Sequence, residues 1–265
     1  MNWMKQGRRS LRLLSLLMLL LACNTAFTHP DLVLQIEALD QQLVADPENV
    51  ELLCKRGDLY RRHKEFDQAA KDFERARFIN PGLPLVDFLE AKLLLDTRDP
   101  QAAAELLTRY LSLRPAHSFA WVLRGKAHIR MGEAGAGAAD FSSAISSSPR
   151  PSPELYRLQL LSLAAQGTEK EYETLAATTA ALEVFPYEPR LLGLGVDIAL
   201  SYRNLDAASE YLSQLPEQLR TLPQWAERIQ TVQCLDTEGS DLAPLCLEQA
   251  SARLQEQIEV FLEQT

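Results

Sequence analysis

Several kinds of chemistry are missing from this chain, and their absence narrows its function first. It is short of positive charge: 27 Lys and Arg face 36 Asp and Glu, for a net −9. Residues 1–22 hold Lys5, Arg8, Arg9 and Arg12 and no acid, so the remainder carries 23 basic residues (27 less 4) against 36, or −13. A body with no basic cluster does not suit nucleic acid, whose affinity rests on Lys and Arg neutralising phosphates. The four histidines, His29, His63, His117 and His128, include no pair at metal-ligand spacing. No serine sits in a nucleophile-elbow sequence. The glycine-rich run Gly132–Gly137 (GEAGAG) lacks the Gly-Lys-Ser/Thr ending of a phosphate loop, and no apolar strand precedes it. No segment alternates at period two, which argues against a sheet. The chain is therefore expected to have no catalytic site, no cofactor, no metal, no nucleic-acid partner and no small-molecule substrate.

What is present begins with an export signal. The basic segment MNWMKQGRRSLR precedes Leu13–Ala22, ten residues without charge. A spanning helix needs about 20 apolar residues, so this run has signal-peptide proportions. Leu20-Leu21-Ala22-Cys23 resembles a bacterial lipobox, which implies cleavage before Cys23 and a lipid on its thiol. Cleavage to a soluble form, with a site after Ala26, and an uncleaved anchor are the alternatives. Arg8-Arg9-Ser10-Leu11-Arg12 also resembles a twin-arginine signal, but the strongly hydrophobic core favours the general export route. Asn24 replaces the aspartate that retains such lipoproteins at the inner membrane, so the resemblance implies the outer membrane, facing the periplasm. Residues 23–30 would then be a lipid-anchored tether. Its seven residues after Cys23 reach roughly 25 Å at most, keeping the folded part near the membrane.

The dominant feature is a ladder. Pro47, Pro81, Pro115 and Pro149 follow one another at 34 residues. Gly57, Ala91 and Gly125 keep the same step, as do Phe73, Leu107 and Phe141, and Ala69, Ala103 and Gly137. Period and residue types resemble the tetratricopeptide repeat (TPR), a helix–turn–helix unit. Its signature falls on Leu53, Gly57, Tyr60, Ala69, Phe73, Ala76 and Pro81 in residues 50–83. In residues 118–151 it falls on Trp121, Gly125, His128, Gly137, Phe141, Ala144 and Pro149, with His128 where a packing tyrosine is usual. The middle unit, 84–117, is looser, with Asp87 and Tyr110 off-pattern. Small residues let the paired helices approach while large ones fill the space beside them. Proline ends the second helix. Gly132 is assigned to the turn between helices and Gly137 to a small-residue contact.

The resemblance implies an all-α, right-handed superhelical solenoid of antiparallel helix pairs, with capping helices at both ends. Residues 31–46 read as the N-terminal cap, 50–151 as three repeats, 152–216 as degenerate TPR-like pairs, and 217–265 as a C-terminal capping hairpin. Helices are predicted near 153–166, 169–184, 189–203, 206–215, 222–235 and 242–264. Ser146–Pro153, rich in Ser and Pro, is the candidate internal boundary, with a stiff inter-repeat turn as the preferred reading. Cys234 and Cys246 fall near facing ends of the closing helices, which predicts a disulfide in an oxidising compartment, with two buried thiols as the alternative.

TPR arrays line a groove with four positions of each leading helix. Carried over, these are Glu51, Cys54, Asp58 and Arg61, then Leu85, Phe88, Lys92 and Leu95, then Phe119, Val122, Lys126 and Ile129. The last eight make an apolar stripe with two lysines, suited to an extended or helical peptide with a carboxylate. Packing of the stripe against the protein's own terminal helices is the competing reading. Cys54 and Asp58 replace the Lys and Asn of the carboxylate clamp in chaperone-binding TPRs, which argues against an acidic chaperone tail. The implied function is a non-enzymatic scaffold or adaptor for an envelope protein. It is similar to TPR lipoproteins that serve pilus assembly, barrel assembly, or envelope proteases and peptidoglycan enzymes.

Overall fold

A computed structural model describes residues 30–237 and 243–265. The signal segment, Cys23 and residues 238–242 lie outside the described residues. Among the described residues there are thirteen α-helices and two short 3-10 turns, with no strand. The chain divides into two compact units, residues 1–81 and 82–265. The division falls at Pro81/Gly82 and not in the proline-rich stretch before Pro153, because the helices flanking that stretch pack directly on each other.

The first unit holds α1 (Pro30–Ala45), α2 (Val50–Arg62) and α3 (Phe66–Ile79). Asn49 caps α2, its side chain accepting from the Leu52 amide at 3.0 Å. Gly57 faces Phe73 so closely that a Cβ on it would lie 2.5 Å from the ring. The repeat's glycine and aromatic are thus two halves of one contact. Leu32 and Ile36 of α1 bury against Leu59 of α2. Arg56 joins the three helices: it forks onto Asp72 of α3 (2.8 and 2.6 Å) and donates to Asp40 of α1 (2.7 Å).

The second unit runs α4 (Pro84–Asp96), α5 (Pro100–Leu113), α6 (Ser118–Arg130), α7 (Ala134–Ser147), α8 (Pro153–Ala164), α9 (Glu171–Val184), α10 (Pro189–Ser201) and α11 (Leu205–Ser213). It closes with α12 (Pro223–Asp236) and α13 (Ala243–Gln264). From α4 to α11 each helix packs on the next, and α13 folds back onto α8 and α10. Prolines start helices here as well as stopping them: Pro84, Pro100, Pro153, Pro189 and Pro223 all occupy a first turn. An amide that proline lacks would be unbonded there anyway.

The turn inside each pair is left-handed. Lys64, Arg98 and Gly132 have φ of 66°, 65° and 78°, again 34 residues apart, and Gly167 (82°) and Arg203 (59°) continue the series. Gly132 is therefore one of five equivalent turn residues.

Fastening differs between repeats. Arg124 forks onto Asp140 at 2.9 and 2.7 Å, repeating the Arg56–Asp72 pair two periods on. Glu90 and Leu106 stand at those places in the middle unit. There the off-pattern Asp87 takes over, accepting a fork from Arg109 (3.2 and 2.8 Å). The irregular unit has exchanged one inter-helix ion pair for another.

Candidate protein-binding face

The sequence points to the inner faces of α4 and α6. Leu85 and Phe119, in their first turns, are 40% and 52% exposed. Phe88, Lys92, Val122 and Lys126 are half-buried. Lys92 places its ammonium 5.8 Å from the centre of the Phe88 ring. Leu95 and Ile129, expected to line the same groove, are instead core residues at 6% and 4% exposure. Both sit in the last turn of their helix, where other elements close over them. Leu95 joins a cluster built mainly from α4, α5 and α6. Ile129 packs where a Cβ on Gly137 would stand, 2.7 Å from its Cδ1. Beside it, Arg130 donates to the carbonyls of Leu95 (2.5 Å) and Thr265 (2.6 Å), tying the end of α13 to the ends of α4 and α6. The face is thus open at the first turns and closed at the last.

Two side chains that sequence reading had set aside complete the open part. Phe88 lies 5.0 Å from the Tyr110 ring, 4.9 Å from His117 and 6.3 Å from Phe119, centre to centre. Tyr110 and His117 meet edge to face at 5.4 Å. Tyr110 stands where the repeat prefers alanine, and that departure was the available signal. His117 Nδ1 is buried with no hydrogen-bond partner among the described residues. Burial also pushes the imidazole pKa below its ordinary value. A mixed aromatic surface of this kind supplies large contact area at small entropic cost.

Of the groove residues predicted in α2, one is buried and three are engaged in ion pairs within the helix. Cys54 is buried, and that burial pushes its thiol up to about 11. Glu51 pairs with Lys55 and Asp58 with Arg61, each within its own helix. Trp121 donates its indole N–H to the Pro115 carbonyl (2.7 Å) and stacks on Arg124.

Over α8 and α10 the inner face is occupied. Trp225, Leu254, Ile258 and Phe261 of the closing helices bury into one cluster with Leu158, Leu161, Leu194 and Ile198. At its centre the fully buried carboxylate of Asp197 accepts from Arg228, from Arg253 (3.1 Å) and from Gln257 (2.9 Å). Cys234 is bonded to Cys246, their Cα atoms 6.6 Å apart, joining α12 to α13. This half of the unit therefore packs on the protein's own closing helices.

Among the described residues no three His, Cys, Asp or Glu side chains converge as a metal site would require. No described helix is long and apolar enough to cross a membrane. Residues 36–84 and 88–168 match the tetratricopeptide repeat family model. Those two segments carry tetratricopeptide repeats. No match to a curated protein was found by sequence. Among solved structures it is similar to PilF of Pseudomonas aeruginosa (16% identity, 75% of this chain and 89% of that one, TM-score 0.56). It is also similar to PilW, described as a widely conserved type IV pilus biogenesis factor (22%, 77% and 92%, TM-score 0.52). A third is a tetratricopeptide repeat protein of Parabacteroides merdae (16%, 88% and 93%, TM-score 0.53). At these identities the likeness shows the fold.

Proposed function

We propose that this TPR protein is a non-enzymatic adaptor of the bacterial cell envelope, exported by residues 1–22 and anchored through a lipid on Cys23 to the outer membrane, facing the periplasm. The observation that carries the binding role is the open face of α4 and α6. There Leu85 and Phe119 stay exposed beside the Phe88–Tyr110–His117 rings, while the corresponding surface of α8 and α10 is filled. The partner element is a peptide segment with apolar side chains for Leu85, Phe88, Phe119 and Val122, and a carboxylate for Lys92 or Lys126. The fold of PilW, a pilus biogenesis factor, supports a more specific reading: assembly of a pilus, secretion or outer-membrane complex.

A photo-crosslinking residue at position 119, in intact cells, tests the face. It should capture a discrete envelope protein, and the same residue at the exposed position 105 of α5 should not. Phe88→Ser with Phe119→Ser should abolish capture at position 122 while the melting temperature falls only modestly. A collapse in melting temperature would make the face structural. For the anchor, incorporation of a labelled fatty acid should be lost in Cys23→Ser. Equal incorporation by that variant would remove the lipoprotein reading and leave the soluble, cleaved form.

A further inference from the structure

A recess of ≈ 450 Å³ opens among α8, α10, α12 and α13, lined by Arg157, Arg190, Arg228, Trp225 and Gln257 together with Pro189 and Leu194. Three arginines line it and no acid does, in a chain whose net charge is −9. The nearby carboxylates are already engaged. Glu154 receives a fork from Arg157 (2.8 and 2.7 Å). Asp197 is shared by Arg228, Arg253 and Gln257. Counting Arg253, which shares Asp197 without lining the recess, and Glu188, which accepts from the Arg190 amide (3.3 Å), four guanidinium groups face three carboxylates, an excess of one positive charge at a concave site. Such a site focuses its field on an incoming anion.

The arginines are not equally committed. Arg228 is fixed: besides Asp197 it donates to the Gln224 carbonyl (2.7 Å), and its guanidinium carbon lies 5.5 Å from the centre of the Trp225 ring. Arg157 uses Nε and Nη2 on Glu154. Arg190 is exposed, and its guanidinium makes no hydrogen bond or ion pair among the described residues. One preset cation, one half-used and one unengaged therefore converge on a recess with apolar walls.

We propose that this recess binds the carboxylate side chains of an acidic peptide segment, with Arg190 as the principal charge contact. Planar guanidinium groups match carboxylates in forked geometry. Trp225, Pro189 and Leu194 accommodate the methylene groups of a glutamate. The site lies on helices other than α4 and α6 and does not depend on the binding face proposed there.

Calorimetry on the full chain at low ionic strength tests it, using penta-glutamate blocked at both ends, blocked penta-glutamine and inorganic phosphate. Penta-glutamate should bind and penta-glutamine should not. Arg190→Glu should weaken penta-glutamate at least tenfold with an unchanged melting curve, because glutamate suits a first helical turn. Arg114→Glu, the same charge change on an exposed residue at the end of α5, should leave affinity within twofold. Equal loss in both variants would reduce the effect to overall charge and overturn the site. So would undiminished binding by Arg190→Glu, or the absence of any penta-glutamate binding. Phosphate binding as tightly as the peptide would overturn the peptide assignment.

Discussion

The two halves of the second unit use one helix-pair plan to opposite ends. Over α4 and α6 the inner face ends in exposed Leu85 and Phe119, and over α8 and α10 the same kind of face is sealed by α12 and α13. The open half lies wholly within the part that matches the repeat family, whereas in the sealed half the match covers α8 and stops at residue 168. The half whose sequence decays has its vacant surface covered from within by Trp225, Leu254, Ile258 and Phe261. Loss of the family match after residue 168 therefore reflects a change of neighbours. Residues that need only accommodate another repeat keep the pattern, and residues that also accommodate a hairpin drift from it.

Breaking the seal should give the largest effect. Asp197→Ala leaves half-buried Arg228 and Arg253 without the fully buried carboxylate they share, which costs about 3–5 kcal/mol. Denaturant unfolding followed by circular dichroism checks this. A loss below ~1 kcal/mol would mean that water replaces the carboxylate and the latch is not structural. Trp225→Ser and Phe119→Ser sharpen the same contrast. The first empties a site only 3% exposed and should cost about 3–5 kcal/mol, and the second, on the open face, roughly 0.5 kcal/mol. Similar values for the two would erase the distinction between the halves.

Next in size is the covalent closure of the seal. Cys234 and Cys246 are 12 residues apart, and opening such a loop costs about 2–3 kcal/mol. Reduction should lower the first unfolding step, and Cys234→Ser with Cys246→Ser should reproduce the shift and make it insensitive to reductant. Buried Cys54, with its thiol pushed up to about 11, should stay unmodified by alkylating reagents in the folded protein. Finding Cys234 or Cys246 alkylated in the non-reduced, exported protein would contradict the pairing.

On the open half, the glycine-rich α7 offers a finer probe. Gly135 is exposed, and a Cβ there would meet only the end of the long Gln166 side chain, at 3.0 Å. Gly135→Ala should stabilise by about 0.5–1 kcal/mol through helix propensity. Gly137 lies against the Gly125 carbonyl, where a Cβ would stand at 3.2 Å and would also press on Ile129 at 2.7 Å. Gly137→Ala should destabilise by about 1–3 kcal/mol from crowding. Thermal melts of the two variants should move in opposite directions; a gain in both would mean that α6 and α7 separate easily.

The ladder made the helix pairs legible because each step rests on a contact within one repeat, such as Gly57 on Phe73 or Gly125 on Phe141. Contacts between distant segments carried no such signal. The partners of Asp197 lie 31, 56 and 60 residues away. Leu95 and Ile129 have the right periodicity for the groove, but what lies over the last turns decides their burial. The turn residues were half visible: Gly132 reads as a turn, whereas Lys64, Arg98 and Arg203 adopt the same left-handed backbone without announcing it. Asp87 and Tyr110 read as decay, although one had acquired Arg109 and the other the Phe88 ring.

The smallest expected effect also belongs to the open face. An unfolded histidine takes up its proton near pH ~6.5. Burial beside Phe88 and Tyr110 holds His117 below that value in the folded protein. As pH falls through ~6.5 the unfolded chain therefore gains a proton that the folded one refuses, and stability declines. The decline stops once pH passes below the folded pKa, where both states are protonated. Because the ring is only partly buried, the contribution should be smaller than any of the losses above. Urea midpoints at about pH 7.5 and 5.5 should differ more for the native chain than for His117→Phe, which keeps the ring contact and removes the titration. Equal differences would show that His117 titrates alike in both states, and that the open face is wetter than its ring packing implies.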